Sequence, residues 1–184
     1  MTWGETMRKL LGAFALTAAF VGIANSAELD ARYKQMGEMT VTAGGEAYEM
    51  VIPWDTKRGR GYADEQERAG QRYISIAGGV VTQKGLPGPT RFSVSFVLIN
   101  GTPIISDTEL KIYAPTRRAF SLYGDAANSR FTEFNISDDG EIEARIEATL
   151  VEMDPEATTR IKVLEGAPPI DVSGLISVSL TEPD

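Results

Sequence analysis

The stretch from Glu141 to Leu150 alternates apolar and polar residues without interruption. Its apolar positions are Ile142, Ala144, Ile146, Ala148 and Leu150. A period of two residues is the signature of a β-strand with one dry face and one wet face, because successive side chains of a strand point to opposite sides. A helix would scatter these apolar residues around its circumference. The stretch therefore predicts an amphipathic strand.

A second strand is predicted just before it, from Arg130 to Ser137, with Asp138-Asp139-Gly140 between the two runs. An Asp-Gly pair tolerates the positive φ angle of a tight turn, so we expect the two strands to pair antiparallel as a hairpin. A lone hairpin is only marginally stable in water. This hairpin must therefore pack its apolar stripe on further strands.

Other strand-sized runs follow at short spacing. A first hairpin is predicted from Glu38 to Ala43 and Glu46 to Pro53, with Trp54 continuing its apolar face into the core. Further strand candidates are Gln71–Ala77, Arg91–Ile99, Ile104–Ile105, Glu109–Ala114, Ala119–Tyr123, Thr158–Leu164 and Leu175–Leu180. The pattern predicts an all-β domain: an antiparallel β-sandwich, or alternatively a β-barrel, of about eight to ten strands.

Three segments are interpreted differently. The segment from Glu28 to Gln35 has no clear period and is interpreted as a lead-in, with room for one helical turn. The second half of Arg91–Ile99 is apolar on both faces, which favours a central strand covered on both sides. The segment from Lys84 to Pro89 is predicted to be a connection, because its prolines lack backbone donors.

The beginning of the chain has the pattern of an export signal. Arg8 and Lys9 supply a positive region, and Leu10 to Ile23 is an uncharged, largely apolar run. That run is shorter than the roughly 20 residues that span a bilayer, so we expect cleavage rather than anchoring. Small residues follow it, and cleavage after Ser26 or after Ala27 fits them.

The domain organisation follows from this leader. Residues 1–27 are assigned to the signal peptide and residues 28–184 to one β-sandwich domain, in line with roughly 100 to 200 residues per domain. We expect the product in the periplasm or outside the cell, and not embedded in a membrane. The chain contains no cysteine, so its fold depends on core packing rather than disulfides.

The charge of the chain bears on its partners. Without the leader the chain has 16 basic and 25 acidic residues, a net charge of −9, compared with −8 for the whole sequence. An excess of acidic residues disfavours binding to nucleic acid.

The absence of histidine and cysteine limits the chemistry of the protein. Ser-His-Asp triads, thiol nucleophiles and the usual zinc sites all need one or both of these residue types. We expect no cofactor and favour a protein that is not an enzyme. Calcium takes oxygen ligands, and Asp138, Asp139 and Glu141 are weak calcium candidates, although turn chemistry explains them more simply.

The stretch from Asp55 to Gly70 is the preferred candidate binding segment. It is rich in charged residues and glycine, and it is predicted to be a long loop with a short helix possible from Ala63 to Ala69. Loops of that length in compact domains are usually functional or disordered. The candidate binding residues in it are Arg58, Arg60 and Tyr62, and Arg117 and Arg118 form a second candidate group.

The sequence favours an exported, non-enzymatic binding or accessory module whose partner is a glycan, an envelope polymer or a protein. Two alternatives belong to other classes. One is a hydrolase of the cell envelope that depends on paired carboxylates. The other is a structural subunit that adds a strand to a neighbour, for which an unpaired strand edge would be the sign.

Overall fold

The structure, a computed structural model, describes residues 28–113, 120–154 and 162–183. Within these ranges the protein is all-β, and no helix is long and apolar enough to cross a membrane. The strands are β1 Tyr33–Ala43, β2 Glu46–Asp55, β3 Arg60–Gly61, β4 Ala63–Arg68, β5 Gln71–Val81, β6 Pro87–Ile99, β7 Thr102–Ile112, β8 Phe120–Asp125, β9 Ser129–Ile136, β10 Glu141–Glu152 and β11 Ile170–Ser179.

All eleven strands belong to one antiparallel sheet, in the order β3-β2-β1-β11-β10-β8-β7-β6-β5-β4. Strand β9 pairs with β10 beside this path, and β2 also meets β5 where Val51 lies opposite Gly79. The sheet therefore folds back on itself, which brings its two halves onto a common core.

The hairpin predicted on either side of Asp138-Asp139-Gly140 is confirmed. Strands β9 and β10 pair in the expected antiparallel sense, and Gly140 turns the chain between them with φ of 84°. Strand β10 also pairs with β11 along ten residues and meets β8 at Val151 and Glu152. Strand β10 therefore pairs with three strands through its two edges, while its alternating apolar side chains are buried on one face.

The core is built from the alternating apolar positions that the sequence indicates. All five apolar residues of Glu141–Leu150 are buried. Phe96 of β6 is buried and packs edge-on against Phe131 and Phe134 of β9, with ring centroids 5.1 and 5.5 Å away. Aromatic rings favour this edge-to-face arrangement. The three rings join β6 to β9, two strands that do not pair.

The predicted loop from Asp55 to Gly70 is wrong. Strand β2 continues through Asp55, and β3 and β4 follow, so that turns remain only at Thr56–Gly59 and Ala69–Gly70. The helix considered for Ala63–Ala69 is also wrong, because this segment is β4, which pairs with β5. Strand β4 is an edge strand, and charged side chains on an edge discourage pairing with other chains. Such a strand shows no apolar alternation.

Smaller differences concern strand ends. Strand β6 begins at Pro87 within the expected connection, since proline is tolerated at the first residue of a strand. Strand β1 begins at Tyr33, after a turn in which the Tyr33 amide donates to the Asp30 carbonyl at 2.7 Å. Ile99 is 37% exposed, so the last part of β6 is not covered on both faces.

Some predicted features lie outside the described residues. They are the export signal at residues 1–27, Arg117, Arg118 and most of the strand expected from Thr158 to Leu164. At the described end of that last segment, Val163 forms a single antiparallel bridge with Met153.

Candidate functional site

The start of β1, the end of β2 and the start of β3 lie together at one corner of the sheet. Tyr33 of β1, Asp55 of β2 and Arg60 of β3 lie directly opposite one another in register. Residues that lie opposite one another on neighbouring antiparallel strands share a face of the sheet. The side chains of these three residues therefore belong to the same face.

Asp55 is the buried centre of this corner, with 1% of its surface exposed. Arg32 donates from Nε to its Oδ1 at 2.9 Å and from Nη2 to its Oδ2. The backbone amides of Lys57 and Arg58 donate to Oδ1 at 3.1 and 3.2 Å. A buried carboxylate needs such partners, because it has lost the hydration that stabilises its charge.

The same contacts set the protonation of the pair. The hydrogen bond from Arg32 holds the pKa of Asp55 below its ordinary value, and the backbone hydrogen bond of Arg58 acts in the same direction against the effect of burial. The hydrogen bond to Asp55 raises the pKa of Arg32. Both groups are therefore charged at neutral pH, and Asp55 is unsuited to accept or deliver protons there.

A turn at Thr56–Gly59 presents the next cations. The Asp55 carbonyl accepts from the amides of Arg58 at 3.1 Å and Gly59 at 2.9 Å, and Gly59 has φ of 60°. An aspartate that binds backbone amides two and three residues ahead is a common start of such turns. The Arg58 side chain is 57% exposed, with its Nε 3.7 Å from Asp55 Oδ2. The turn therefore fixes the backbone and leaves the guanidinium in solvent.

Two tyrosines border the arginines. The Arg32 guanidinium lies 5.1 Å from the centre of the Tyr33 ring, within the range of a cation–π contact. Tyr62 is half-buried against the core, and its amide donates to the Pro53 carbonyl at 2.9 Å. Trp54 is half-buried against the core as well, as the sequence predicted.

We call this set of side chains the basic end. It consists of Arg32, Tyr33, Asp55, Arg58, Arg60 and Tyr62. The structure thus groups the three predicted residues of this segment with Arg32 and Tyr33, which the sequence analysis missed. Guanidinium groups bind carboxylate, sulfate and phosphate through paired hydrogen bonds. The basic end can therefore bind an anionic group.

The other acidic side chains are weaker candidates for a metal site or for acid catalysis. Asp138, Asp139 and Glu141 are exposed around the β9–β10 turn, and the described residues contain no group of three or more acidic side chains that could hold a metal ion. The pKa of Glu65 is lowered by its hydrogen bond from Arg72, so this carboxyl is ionised at neutral pH. A general acid needs the opposite shift.

Comparison with known proteins gave no match: no protein family, curated protein or solved structure corresponds to this chain.

Proposed function

We propose that the protein is a non-enzymatic binding module that takes an anionic glycan or envelope polymer through the basic end. The observation that carries the proposal is the convergence of three arginines and two tyrosines on one corner of a chain with net charge −8. A carboxylated or sulfated polymer offers repeated anions to the arginines and sugar faces to the tyrosines.

The arginines have different parts in this proposal. Arg32 is engaged by Asp55 and acts as support. Arg58 makes only the 3.7 Å approach to Asp55, and within the described residues Arg60 makes no ion pair. Arg58 and Arg60 are therefore the side chains that reach the ligand, and the turn that carries them is already fixed by Asp55.

The proposal includes the location and the shape of the protein. The leader pattern of residues 1–27 supports export to the periplasm or beyond the cell, where such polymers occur. Two sets of neighbouring strands facing one core support a β-sandwich, with β3, β2, β1, β11, β10 and β9 in one layer and the remaining strands in the other. The Val51–Gly79 pairing is the contact that favours a barrel instead.

A binding measurement with polygalacturonate as the anionic polymer and dextran as the neutral one tests the proposal. The double variant Arg58→Gln, Arg60→Gln should weaken polygalacturonate binding by roughly tenfold or more, because each lost charged hydrogen bond costs about 1.5–3 kcal/mol. The matched control is Arg130→Gln, Arg145→Gln, which removes two exposed arginines from β9 and β10. Equal loss in both variants, or no preference of the natural protein for polygalacturonate, would overturn the proposal.

A strand-adding subunit is the second candidate. Within the described residues β9 pairs with β10 alone, so one of its edges is open for another strand. A partner bound there would slow amide hydrogen exchange along Ser129–Ile136. If a protein that binds the chain leaves amide hydrogen exchange along this strand unchanged, the strand-adding candidate is excluded.

A further inference from the structure

The outer face of β5, β6 and β7 carries an apolar row. Tyr73, Val97 and Ile104 lie directly opposite one another across the three strands. Tyr73 is 43% exposed and Ile104 47%, and Ile99 beside them is 37% exposed. Their neighbours along the chain, such as Ile74 and Phe96, point into the core, so this row points outward.

Four of the positions around the row are uncharged as well. They are Gln71, Ser75, Ser95 and Thr102, and with the apolar residues they make a face of eight uncharged positions. We call these eight residues the neutral face. Asp107, opposite Ser95, marks its border on β7.

The other border of the neutral face is β4, whose outward side chains alternate in charge. Gln66 lies opposite Tyr73, with Asp64 and Arg68 one outward position away on either side. All three β4 side chains are exposed, and Gln66 hydrogen-bonds to both of its neighbours. A positive and a negative group therefore flank the end of the apolar row symmetrically.

We propose that the neutral face binds the neutral face of a second copy of this chain. With a two-fold axis along the row Gln66–Tyr73–Val97–Ile104, Arg68 of each copy faces Asp64 of the other. An interface around a two-fold axis has to be complementary to itself in this way. The opposite charges on either side of Gln66 provide that complementarity.

The net charge of each copy and the area of the neutral face determine how strongly two copies associate. Two copies of residues 28–184, each with net charge −9, repel each other, and the repulsion is weakest when neutral surfaces face one another. Four strands about 4.8 Å apart and three outward rows about 6.8 Å apart cover roughly 400 Å². Stable interfaces bury about 800 Å² on each partner, so the dimer is weak.

A small molecule fits this surface less well. The groove beside Tyr73, lined by Asp64, Gln66, Arg68 and Ser75 among others, has a volume of about 220 Å³. Small-molecule sites usually have about 300–1,000 Å³. The inference is independent of the anionic ligand proposed above, because none of the residues of the basic end belongs to the neutral face.

Sedimentation velocity of residues 28–184 from about 10 μM to 1 mM tests the proposal, since a weak dimer dissociates on dilution by mass action. The natural protein should sediment faster as its concentration rises, and Ile104→Glu should remain monomeric. The matched control Leu175→Glu changes a residue that is 46% exposed on the outer face of β11, and should leave self-association unchanged. A monomeric natural protein, or equal disruption by both variants, would overturn the proposal.

A charge exchange tests the orientation of the two copies. Asp64→Arg and Arg68→Asp should each weaken self-association several-fold, because each places like charges opposite one another. The double variant should restore it, because the exchanged charges again meet as opposite pairs. Failure of the double variant to recover would exclude the proposed axis. Circular dichroism confirms that each variant is folded.

Discussion

Arg32 binds both carboxylate oxygens of Asp55, from a position 23 residues earlier in the chain. The contact joins the segment before β1 to the last residue of β2. Thr56 extends it, because its amide and its Oγ1 both donate to the Arg32 carbonyl, at 3.0 and 2.7 Å. The start of the domain is therefore held by the same residues that support the basic end.

The Arg32–Asp55 pair predicts a dependence of stability on pH. Asp55→Asn should lower Tm at neutral pH, because the charge that Arg32 holds is lost. The pKa of Asp55 is lowered in the folded protein, so its stabilisation is present above the ordinary value of 3.8 and is lost as pH falls through the folded value. The Tm difference between the natural protein and Asp55→Asn should therefore be constant near neutral pH and disappear in strong acid.

Thermal unfolding followed by circular dichroism from about pH 7 to pH 2 measures this difference. Glu49→Gln is the control, because Glu49 is exposed on β2 and its replacement should leave Tm nearly unchanged at neutral pH. A Tm difference for Asp55→Asn that persists unchanged at pH 2 would mean that the charge of Asp55 is not what stabilises the corner.

A glycine in β1 predicts a steric effect. A Cβ atom on Gly37 would lie 2.2 Å from the Ser177 carbonyl oxygen and 2.6 Å from the Val178 Cα, so β1 and β11 would have to separate. Gly37→Ala should lower the free energy of unfolding by about 1–3 kcal/mol. Gly79→Ala is the control, since its Cβ would have 3.4 Å to the nearest atom and should change stability by less than about 1 kcal/mol.

Urea unfolding of both glycine variants gives the comparison. If both variants lose the same free energy of unfolding, β1 and β11 can move apart at Gly37 without a loss of stability.

The strands with alternating side chains could be predicted from the sequence. Strand β10 begins at Glu141 as expected and runs two residues beyond Leu150, because Val151 and Glu152 pair with β8. Each residue of this run supports the same assignment, since its apolar side chains need a core and its charged side chains need solvent. Local sequence and final packing agree here, so the local pattern was sufficient.

Strands β3 and β4 could not be predicted in this way. Residues Ala63–Arg68 are charged or polar after their first position, and they are held by pairing with β5 rather than by burial. A strand whose two faces are both exposed to solvent has no apolar period, so its pairing with another strand cannot be recognised from the sequence. The number of strands was underestimated for this reason.

The candidate site was predicted only in part. Arg58, Arg60 and Tyr62 are close in the chain, so their clustering could be inferred from the sequence alone. Arg32 reaches them through a contact across 23 residues, and a bulge between Gln35 and Gly37, just after Arg32 in the chain, shifts the register of β1 against β2. Neither the contact nor the bulge leaves a signal in the residues themselves.

The ring contacts of Phe96 predict a large loss on truncation. Phe96→Ala should lower the free energy of unfolding by about 3–5 kcal/mol, because the side chain is 1% exposed and contacts Phe131 and Phe134. Phe96→Leu should cost less, since it keeps most of the buried volume. Val97→Ala is the control at the next, outward position and should cost about 1 kcal/mol or less. Urea unfolding ranks the three variants, and an equal effect of Val97→Ala would contradict the assigned faces.

The export-signal pattern of residues 1–27 predicts a shortened product. When the whole chain is expressed in a bacterium with a periplasm, the mature protein should begin at Ala27 or Glu28. Mass spectrometry of the periplasmic fraction measures this start. Ser26→Arg with Ala27→Arg should block the cleavage at both sites, because each change replaces the small residue directly before one of the two cuts. Recovery of the uncut natural chain from the cytosol would contradict the assignment of residues 1–27.

The surroundings of Tyr48 predict that its phenol titrates at a higher pH than an ordinary tyrosine. Burial, and then the hydrogen bond from Tyr48 Oη to Glu46 Oε2 at 2.7 Å, raise its pKa to about 12. Since the folded value exceeds the ordinary value of 10.0, Tyr48 stabilises the fold below that value and this contribution is lost as pH rises towards about 12. Subtracting the tyrosinate absorbance of Tyr48→Phe from that of the natural protein should leave one phenol with a midpoint near 12. Glu46→Gln should lower this midpoint only in part, because burial remains, and a midpoint near 10 in the natural protein would contradict the buried position of the ring.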